Sequence, residues 1–545
     1  MTRSDYQPVV SEGAEAAAAA AAGGGPRCDK GGATSDPAGA SALGQVGGAS
    51  AVQQFFRGRC VLVTGATGFM GKVLVEKLLR CCPAVHTVYA VIRSKKGRTV
   101  EQRIDDMFKD SVFMHLREEQ RRRLVAVAGD VSQPGLGLSA EDRARLCQDV
   151  SVVFHLAATV RFDEAMRVAA SINVRGTMEV LRLCRDMPKL KVVLHTSTAY
   201  SQYVRPRVLE RFYEAPISAD KLLALCEALP EGQQHDLQLA SKLLGGYPNT
   251  YVFTKAVAEE MVSQEFSDLP IAVIRPAMVS STHTEPYPGW IDNLYGPTGV
   301  SVGAATGLLR VMQCDSRAMA NIVPCDMSVN LAIAAAWDLA ANRRNKNEGE
   351  QPVYHHVSSA DCPLTWYEYR ASFMRHGMKI PTVHAVWYVS LMLVANRFLF
   401  LFWKTMLHLV PAMIVDTALL LVGKKPMLMR GYRKIHRFID VCAPFATHHW
   451  DFDNSQTKAL WARLSSEDRK LLPFDMRGFD WDEYFYHYVR GARRLLLKDE
   501  MDTVPAARRR WRRLLWLHRA VNTLIFLLLA SIAWRAGNSI ISVIR

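Results

Sequence analysis

Two short stretches of this chain carry groups that can manage a proton at a carbonyl. "YVFTK" sets the phenol of Tyr251 and the amine of Lys255 four residues apart, and "HTSTAY" offers the hydroxyls of Ser197 and Thr198. On a helix, residues i and i+4 share a face. An ammonium beside the phenol would pull its pKa below the ordinary value of about 10, giving a proton donor or acceptor. A fixed hydroxyl would hold the carbonyl oxygen, and a nicotinamide would supply hydride. Neighbouring residues at a strand end point to opposite faces, so one of Ser197 and Thr198 takes the supporting role; Ser197 is favoured. Taken alone, "YVFTK" is also an ordinary helix turn, so its meaning depends on what positions it.

The flanking sequence alternates strand and helix. Short β-branched runs recur at "CVLVT" (Cys60 to Thr64), "TVYAVI" (Thr87 to Ile92), "LVAVAG" (Leu124 to Gly129), "VSVVFH" (Val150 to His155), "KVVLHTS" (Lys191 to Ser197) and "IAVIRP" (Ile271 to Pro276). Segments of helical periodicity such as "KVLVEKLLR" lie between most of them. Continuous apolar strands separated by helices predict an α/β fold, a Rossmann-type doubly wound parallel sheet covered on both faces. Tyr251 and Lys255 then belong to a crossover helix, and Ser197 and Thr198 to the carboxyl end of the fifth strand.

The first strand runs into "TGATGFMGK", with Gly65, Gly68 and Gly71 at the turn and a helix opening near Met70. Glycines there let a pyrophosphate approach a helix N-terminus, whose free N–H groups favour anions. Dinucleotide binding is the expectation, with Thr67, Phe69 and Met70 in the same loop. An acidic residue after the second strand would suit a cofactor lacking a 2′-phosphate. The chain instead reads "VIRSKKGR", with Arg93, Lys95 and Lys96, which points to NADPH. "GDV" places Asp130 and Val131 after the third strand, where an adenine amine could be held. "HLAAT", with Ala157, follows the fourth, and "NVRGT" starts a helix with Asn173 able to hold backbone or water.

Of 545 residues, 49% are hydrophobic, enough for more than one packed core. The net charge of +15 suits an anionic membrane or phosphate-bearing ligands as well as nucleic acid. Because the basic residues concentrate beside an apolar tail, lipid is the expected partner and nucleic acid is not. Eleven cysteines, scattered and without a CxxC pair, read as reduced thiols facing the cytosol. His448 and His449 have no third ligand at recognisable spacing, so no metal is expected. Residues 1–54, rich in Ala, Gly and Ser, read as a disordered tail. The catalytic domain is expected over 55–380 and a mainly helical domain over 381–500.

"WYVSLMLVANRFLFLFWKTMLHLVPAMIVDTALLLVG" (Trp387 to Gly423) is strongly apolar but interrupted by Arg397, Lys404 and Asp416. It suits an interfacial helical hairpin or a lipid-tail gate better than a clean span; a buried core pair is the alternative. Residues 501–545 pair "AARRRWRRLLWLHR" with the Leu-rich "AVNTLIFLLLASIAW", a membrane-anchor pattern with its positive side in the cytosol. The final "SVIR" is neither a peroxisomal tripeptide nor an ER-retention signal. A tail anchor would direct the chain to the peroxisomal membrane or the endoplasmic reticulum.

"TGATGFMG", "GDV", "NVRGT", "STAY" and "YVFTK" resemble the extended short-chain dehydrogenase/reductase superfamily. More narrowly, "GATGFMGKVLVEKLLR", "VVFHLAATVRFDE", "YVFTKAVAE", "IRPAMV" and the C-terminal "GKKPMLMRGYRKIH…WDFDNSQTKALWARLSSEDRKLLPFDMRGFDWDEYF" resemble the alcohol-forming fatty acyl-CoA reductases. The resemblance covers roughly Gly58 to Leu497. It implies NADPH-dependent reduction of long-chain acyl-CoA to a primary alcohol through an aldehyde, with Tyr251 as acid and Lys255 on the nicotinamide ribose. The same Tyr–Lys core serves epimerases and membrane-bound hydroxysteroid dehydrogenases. The region after about Asp361 separates those from this chain, and an intact glycine turn and Tyr–Lys pair argue against a non-catalytic scaffold.

Overall fold

The computed structural model describes residues 50–94, 97–228, 240, 242–342 and 351–544. The Ala/Gly-rich residues 1–49, and Lys95 and Lys96 of the basic loop, lie outside them. The chain enters through helix α1 (Ala51–Phe56), opened by the Ser50 hydroxyl accepting the Gln53 N–H at 3.0 Å. Val52 and Phe56 are fully buried, and Phe56 stacks on Phe154 at 6.5 Å. Residues 51–54, assigned to the tail on composition, are therefore anchored by two apolar side chains too few to register as a pattern.

Seven parallel strands form the central sheet: β1 (Cys60–Thr64), β2 (Thr87–Ile92), β3 (Leu124–Ala128), β4 (Val150–His155), β5 (Val192–Thr196), β6 (Ile271–Pro276) and β7 (Val353–His356). Their spatial order is β7-β6-β5-β4-β1-β2-β3, the doubly wound arrangement that reverses beside β1. Four of the six expected strands coincide residue for residue with the observed ones, because burial on both faces demands an unbroken apolar run. The seventh, "VYHH", escapes a periodicity reading because it holds two histidines. The fold buries both: His355 contacts Arg275 at 3.0 Å and the Asp453 carbonyl at 2.6 Å, and His356 contacts Ser328 at 2.7 Å. Burial pushes both rings well below the ordinary histidine range, so they sit neutral in the strand.

The helices that matter for the site are α2 (Phe69–Cys81), α3 (Val100–Phe108), α4 (Gly176–Arg185), α5 (Thr250–Glu265) and α6 (Cys325–Asn342). "NVRGT" lies inside a helical run, not at its start: Met166–Ala170 precedes it and Ser171–Arg175 forms a π turn into α4. After β7 come α7 (Trp366–Gly377), α8 (Arg397–Lys404), α9 (Val410–Leu421), α10 (Leu428–Thr447), α11 (Ser455–Arg463), α12 (Trp481–Gly491) and α13 (Val504–Ile544). Short parallel strand pairs stitch this region to the sheet half. Val311–Gln313 pairs with Met392–Val394, and Arg207–Val208 pairs with Asp451–Phe452.

The apolar stretch after Trp387 divides. Its first part carries the strand Met392–Val394, and a helical run follows from Arg397 to Leu421 through a π turn at Thr405–Leu409. Phe400, His408, Ala412 and Asp416 form its buried stripe, while Phe398, Phe402, Ile414 and Leu421 stand out in the open. The buried-core reading of this pair therefore fails. Asp416 breaks the apolar pattern for a structural reason: its carboxylate accepts the N–H groups of Met427, Leu428 and Met429 at 2.9–3.0 Å, capping α10. Arg397–Leu421 and Met501–Ala536 are both long and apolar enough to cross a membrane; the second buries Val504, Ala507 and Trp511 at its base, while its apolar span is unburied.

Candidate active site

The site is built on the carboxyl edge of β1, β4 and β5. Gly65, in the left-handed region at φ 76°, turns the chain out of β1; a Cβ there would lie 2.7 Å from the Ala157 nitrogen. Gly71 is tighter, since a Cβ would sit 2.1 Å from the Gly65 carbonyl oxygen. The two glycines bring the loop and the first turn of α2 together, leaving N–H groups at Phe69, Met70 and Gly71 aimed outward, as a pyrophosphate requires. Thr67 accepts a hydrogen bond from Arg103 of α3 at 3.2 Å. Ala157 donates its N–H to Thr64 at 3.3 Å, and Val131 packs its carbonyl 2.8 Å from where a Gly176 Cβ would be.

The edge beyond β2 and β3 carries charges of both signs. Asp130 accepts from Ser132 at 2.9 and 3.0 Å, and its other oxygen lies 3.6 Å from the Arg93 guanidinium. Arg103, which inspection of the sequence missed, donates to the Arg93 carbonyl at 2.5 Å. Burial first, and the Arg93 charge second, hold Arg103 below its ordinary range. Two guanidiniums whose charges interact beside the glycine turn suit an anion. Only the helical placement of Arg103 one turn into α3 could have flagged it.

At the other end, α5 starts from Asn249, whose side-chain oxygen accepts the Val252 N–H at 3.0 Å. That cap sets Tyr251 and Lys255 on one face. Asn173, turned inward by the π turn, accepts the Thr159 N–H at 2.9 Å and donates to Thr254 at 3.0 Å, tying α5 to the loop after β4. Lys255 is buried and donates to the Thr196 carbonyl at 2.7 Å. Tyr251 lies against Phe162, ring centres 5.8 Å apart, and lines the same cavity as Thr198.

Two expectations change here. Thr198, rather than the expected Ser197, is the hydroxyl that acts on the phenol's acidity. Ser197 lines the same cavity, buried, with its hydroxyl unpartnered among the described residues. The phenol is also not lowered by Lys255. Desolvation pushes Tyr251 up to about 12, partly offset by Thr198, and Glu259 adds to the rise. Lys255 is itself driven down to about 8 by burial, with Glu259 opposing, and its ammonium is committed to Thr196. The arrangement therefore keeps a protonated phenol, an acid in waiting.

One cavity of about 470 Å³ joins these parts. It runs from Gly65 and Gly68–Gly71 past Ser197, Thr198, Tyr251 and Lys255 to Trp366, Phe373, Leu391 and Phe445 of the C-terminal half. Thr67, Arg93, Asp130, Val131 and Ala157 are outside its wall. His448 and His449 turn to different partners, Tyr203 at 3.1 Å and Asp315 at 3.5 Å. Among the described residues no group of three His, Cys, Asp or Glu could hold a metal, and no disulfide joins the described cysteines.

Two family models match the chain, both described as male sterility protein: an NAD-binding one over residues 63–332 and a second, Sterile, over residues 407–499. The chain is 39% identical over 485 residues to Fatty acyl-CoA reductase wat of Drosophila melanogaster, covering 88% of this chain and 92% of that one. It is 37% identical to Fatty acyl-CoA reductase 1 of Xenopus laevis, covering 89% and 93%. Among solved structures, the reductase domain of a nonribosomal peptide synthetase from Mycobacterium tuberculosis shares the fold at a TM-score of 0.54 and 20% identity, over 80% of this chain and 92% of that domain. With both halves of the chain matched and the relatives covered nearly end to end, the protein belongs to the fatty acyl-CoA reductase family.

Proposed function

We propose that this protein uses NADPH to reduce long-chain fatty acyl-CoA to a primary alcohol, releasing CoA, in two successive reductions through the aldehyde. The observation that carries the reading is the single cavity that begins at Thr198 and Tyr251 and continues into an apolar chamber of the C-terminal half. An acyl tail lies there with its thioester carbonyl at the phenol. The glycine cradle and the neighbouring cations Arg93 and Arg103 fit a dinucleotide with a 2′-phosphate. When bound, NADPH supplies hydride to the carbonyl carbon.

The protein's own groups do the rest. Tyr251 donates its proton to the carbonyl oxygen, a downhill step because a phenol near 12 is still a stronger acid than an alcohol. Thr198 holds the same oxygen and the phenol in line. Lys255 holds the nicotinamide ribose and keeps the strand-end backbone at Thr196 in place. Collapse of the first adduct expels CoA thiolate, which takes up the adduct's hydroxyl proton and leaves as thiol; with the phenol reprotonated from solvent and a second NADPH to supply hydride, the aldehyde then meets the same acid and hydroxyl. The exposed face of α8–α9 and the exposed apolar span of α13 support membrane attachment; the catalytic half then lies in the cytosol, at the peroxisomal membrane or the endoplasmic reticulum.

The test is incubation of membranes carrying the protein with NADPH and a panel of acyl-CoAs, reading alcohol and aldehyde by mass spectrometry. Tyr251→Phe should slow both reductions by roughly 10²- to 10⁴-fold and leave NADPH binding intact. Substantial alcohol from that variant would sink the assignment.

A further inference from the structure

Behind the catalytic cavity lies a second, smaller one of about 50 Å³. Two consecutive residues near the end of α7, Phe373 and Met374, line both cavities, so their side chains form the wall between them. Phe373 is packed edge-on against the Tyr488 ring at 5.7 Å. Met374 is half-buried, and its unbranched thioether changes rotamer at little cost. The far wall is apolar, made by Val302, Val389, Val489 and, at the base of α13, Trp511.

The cavity's two polar side chains, Thr382 and Arg493, are fully engaged. The Thr382 hydroxyl donates to Asp499 at 2.7 Å. Arg493 gives its N–H groups to the carbonyls of Ile380, Asp499 and Glu500 at 3.1 Å each, and to Pro381 and Thr503. Its charge is paired with the Asp499 carboxylate at 2.8 Å. Neither side chain has a donor left for a phosphate or carboxylate, and desolvating such a group without a partner is costly. Hydrocarbon is what fits.

We infer that the second cavity is a subsite for the methyl end of the longest acyl chains, and that Phe373 and Met374 are the partition that sets how far a chain reaches. The inference rests on the acyl-CoA reading above. A chain whose thioester sits at Tyr251 arrives at this partition methyl first. Shorter chains stop in the first cavity; longer ones swing Met374 aside and enter the second. Gly377, one turn beyond Phe373, lines the second cavity, and a Cβ on it would meet nothing within 4 Å, so a side chain can be built in to fill it.

The full chain, its Phe373→Ala variant and its Gly377→Leu variant are each given NADPH and acyl-CoAs from palmitoyl to lignoceroyl. The kcat/KM for each chain is expressed as a ratio to palmitoyl. Phe373→Ala should raise the lignoceroyl ratio by roughly fourfold for each methylene newly buried, and Gly377→Leu should lower it. If Phe373→Ala does not fold, the direction of the Gly377→Leu ratio decides. Ratios unchanged in the folded variants, with palmitoyl-CoA still reduced, would overturn the subsite alone. No reduction of any acyl-CoA by the native chain would instead overturn the acyl-CoA reading and the subsite with it.

Discussion

Thr198 and Tyr251 line one cavity, and the Thr198 hydroxyl acts on the acidity of the phenol, linking the loop after β5 to the first turn of α5. That favours Thr198 over the adjacent Ser197, which looks equivalent in "STAY". Thr198→Val should lower kcat by roughly 10²- to 10³-fold, the loss typical of a single donor at a developing oxyanion. Ser197→Ala should cost about threefold or less, since its hydroxyl has no protein partner to lose. Steady-state kinetics of the two variants with one acyl-CoA distinguishes them; a larger loss at Ser197 would reverse the assignment.

Lys255 titrates near 8, where most lysines are still charged. Its folded-state pKa is below the ordinary value of 10.5, so the unfolded chain holds the extra proton between those limits. Stability contributed by this site therefore rises with pH from about 8 towards 10.5, as the cost of burying the charge disappears. Cofactor binding should move the opposite way, weakening as the ammonium is lost. NADPH titrations and thermal midpoints across pH 7 to 10, compared with Lys255→Met, check both slopes. The phenol, at about 12, should add no limb of its own in that range.

Arg103 donates to the Arg93 carbonyl, and the Arg93 charge helps hold the Arg103 guanidinium below the ordinary range. Replacing either by Ala should weaken NADPH binding by roughly 10- to 100-fold, the worth of a charge-assisted hydrogen bond. NADH binding should change little. Dissociation constants for both nucleotides measure the difference; equal losses for the two would mean the arginines do not read the 2′-phosphate.

Glu259, one turn beyond Lys255 on α5, forms a wholly buried pair with Arg275 of β6 at 2.7 Å. Arg275 also holds the carbonyls of Leu209 and Arg211 at 3.2 and 2.9 Å. Breaking the pair strands a charge, so Glu259→Gln should destabilise the fold by about 3–5 kcal/mol. Denaturant unfolding gives the value. The same change removes the carboxylate that opposes the fall in the Lys255 pKa, moving the alkaline loss of cofactor affinity to lower pH.

Much of the fold is legible in the chain itself. The strand runs from "CVLVT" to "IAVIRP" are read correctly because a parallel sheet covered on both faces needs continuous apolar segments, a local property. β7 is not legible, since "VYHH" becomes a strand only when Arg275, Ser328 and Asp453 satisfy its histidines. Asp416 reads as a flaw in an apolar run until it is seen capping α10, eleven to thirteen residues further on.

The site divides the same way. The order of strands and helices, the glycine turn after β1, and the shared face of Tyr251 and Lys255 follow from spacing within a few residues. Which hydroxyl acts on the phenol, where the Lys255 ammonium donates, that Arg103 reaches the Arg93 carbonyl, and that α7 and α10 close an apolar chamber over the site emerge only on folding. Those outcomes rest on burial and on contacts between segments far apart in the chain. Desolvation moved the Tyr251 phenol up where proximity to a lysine alone argued down.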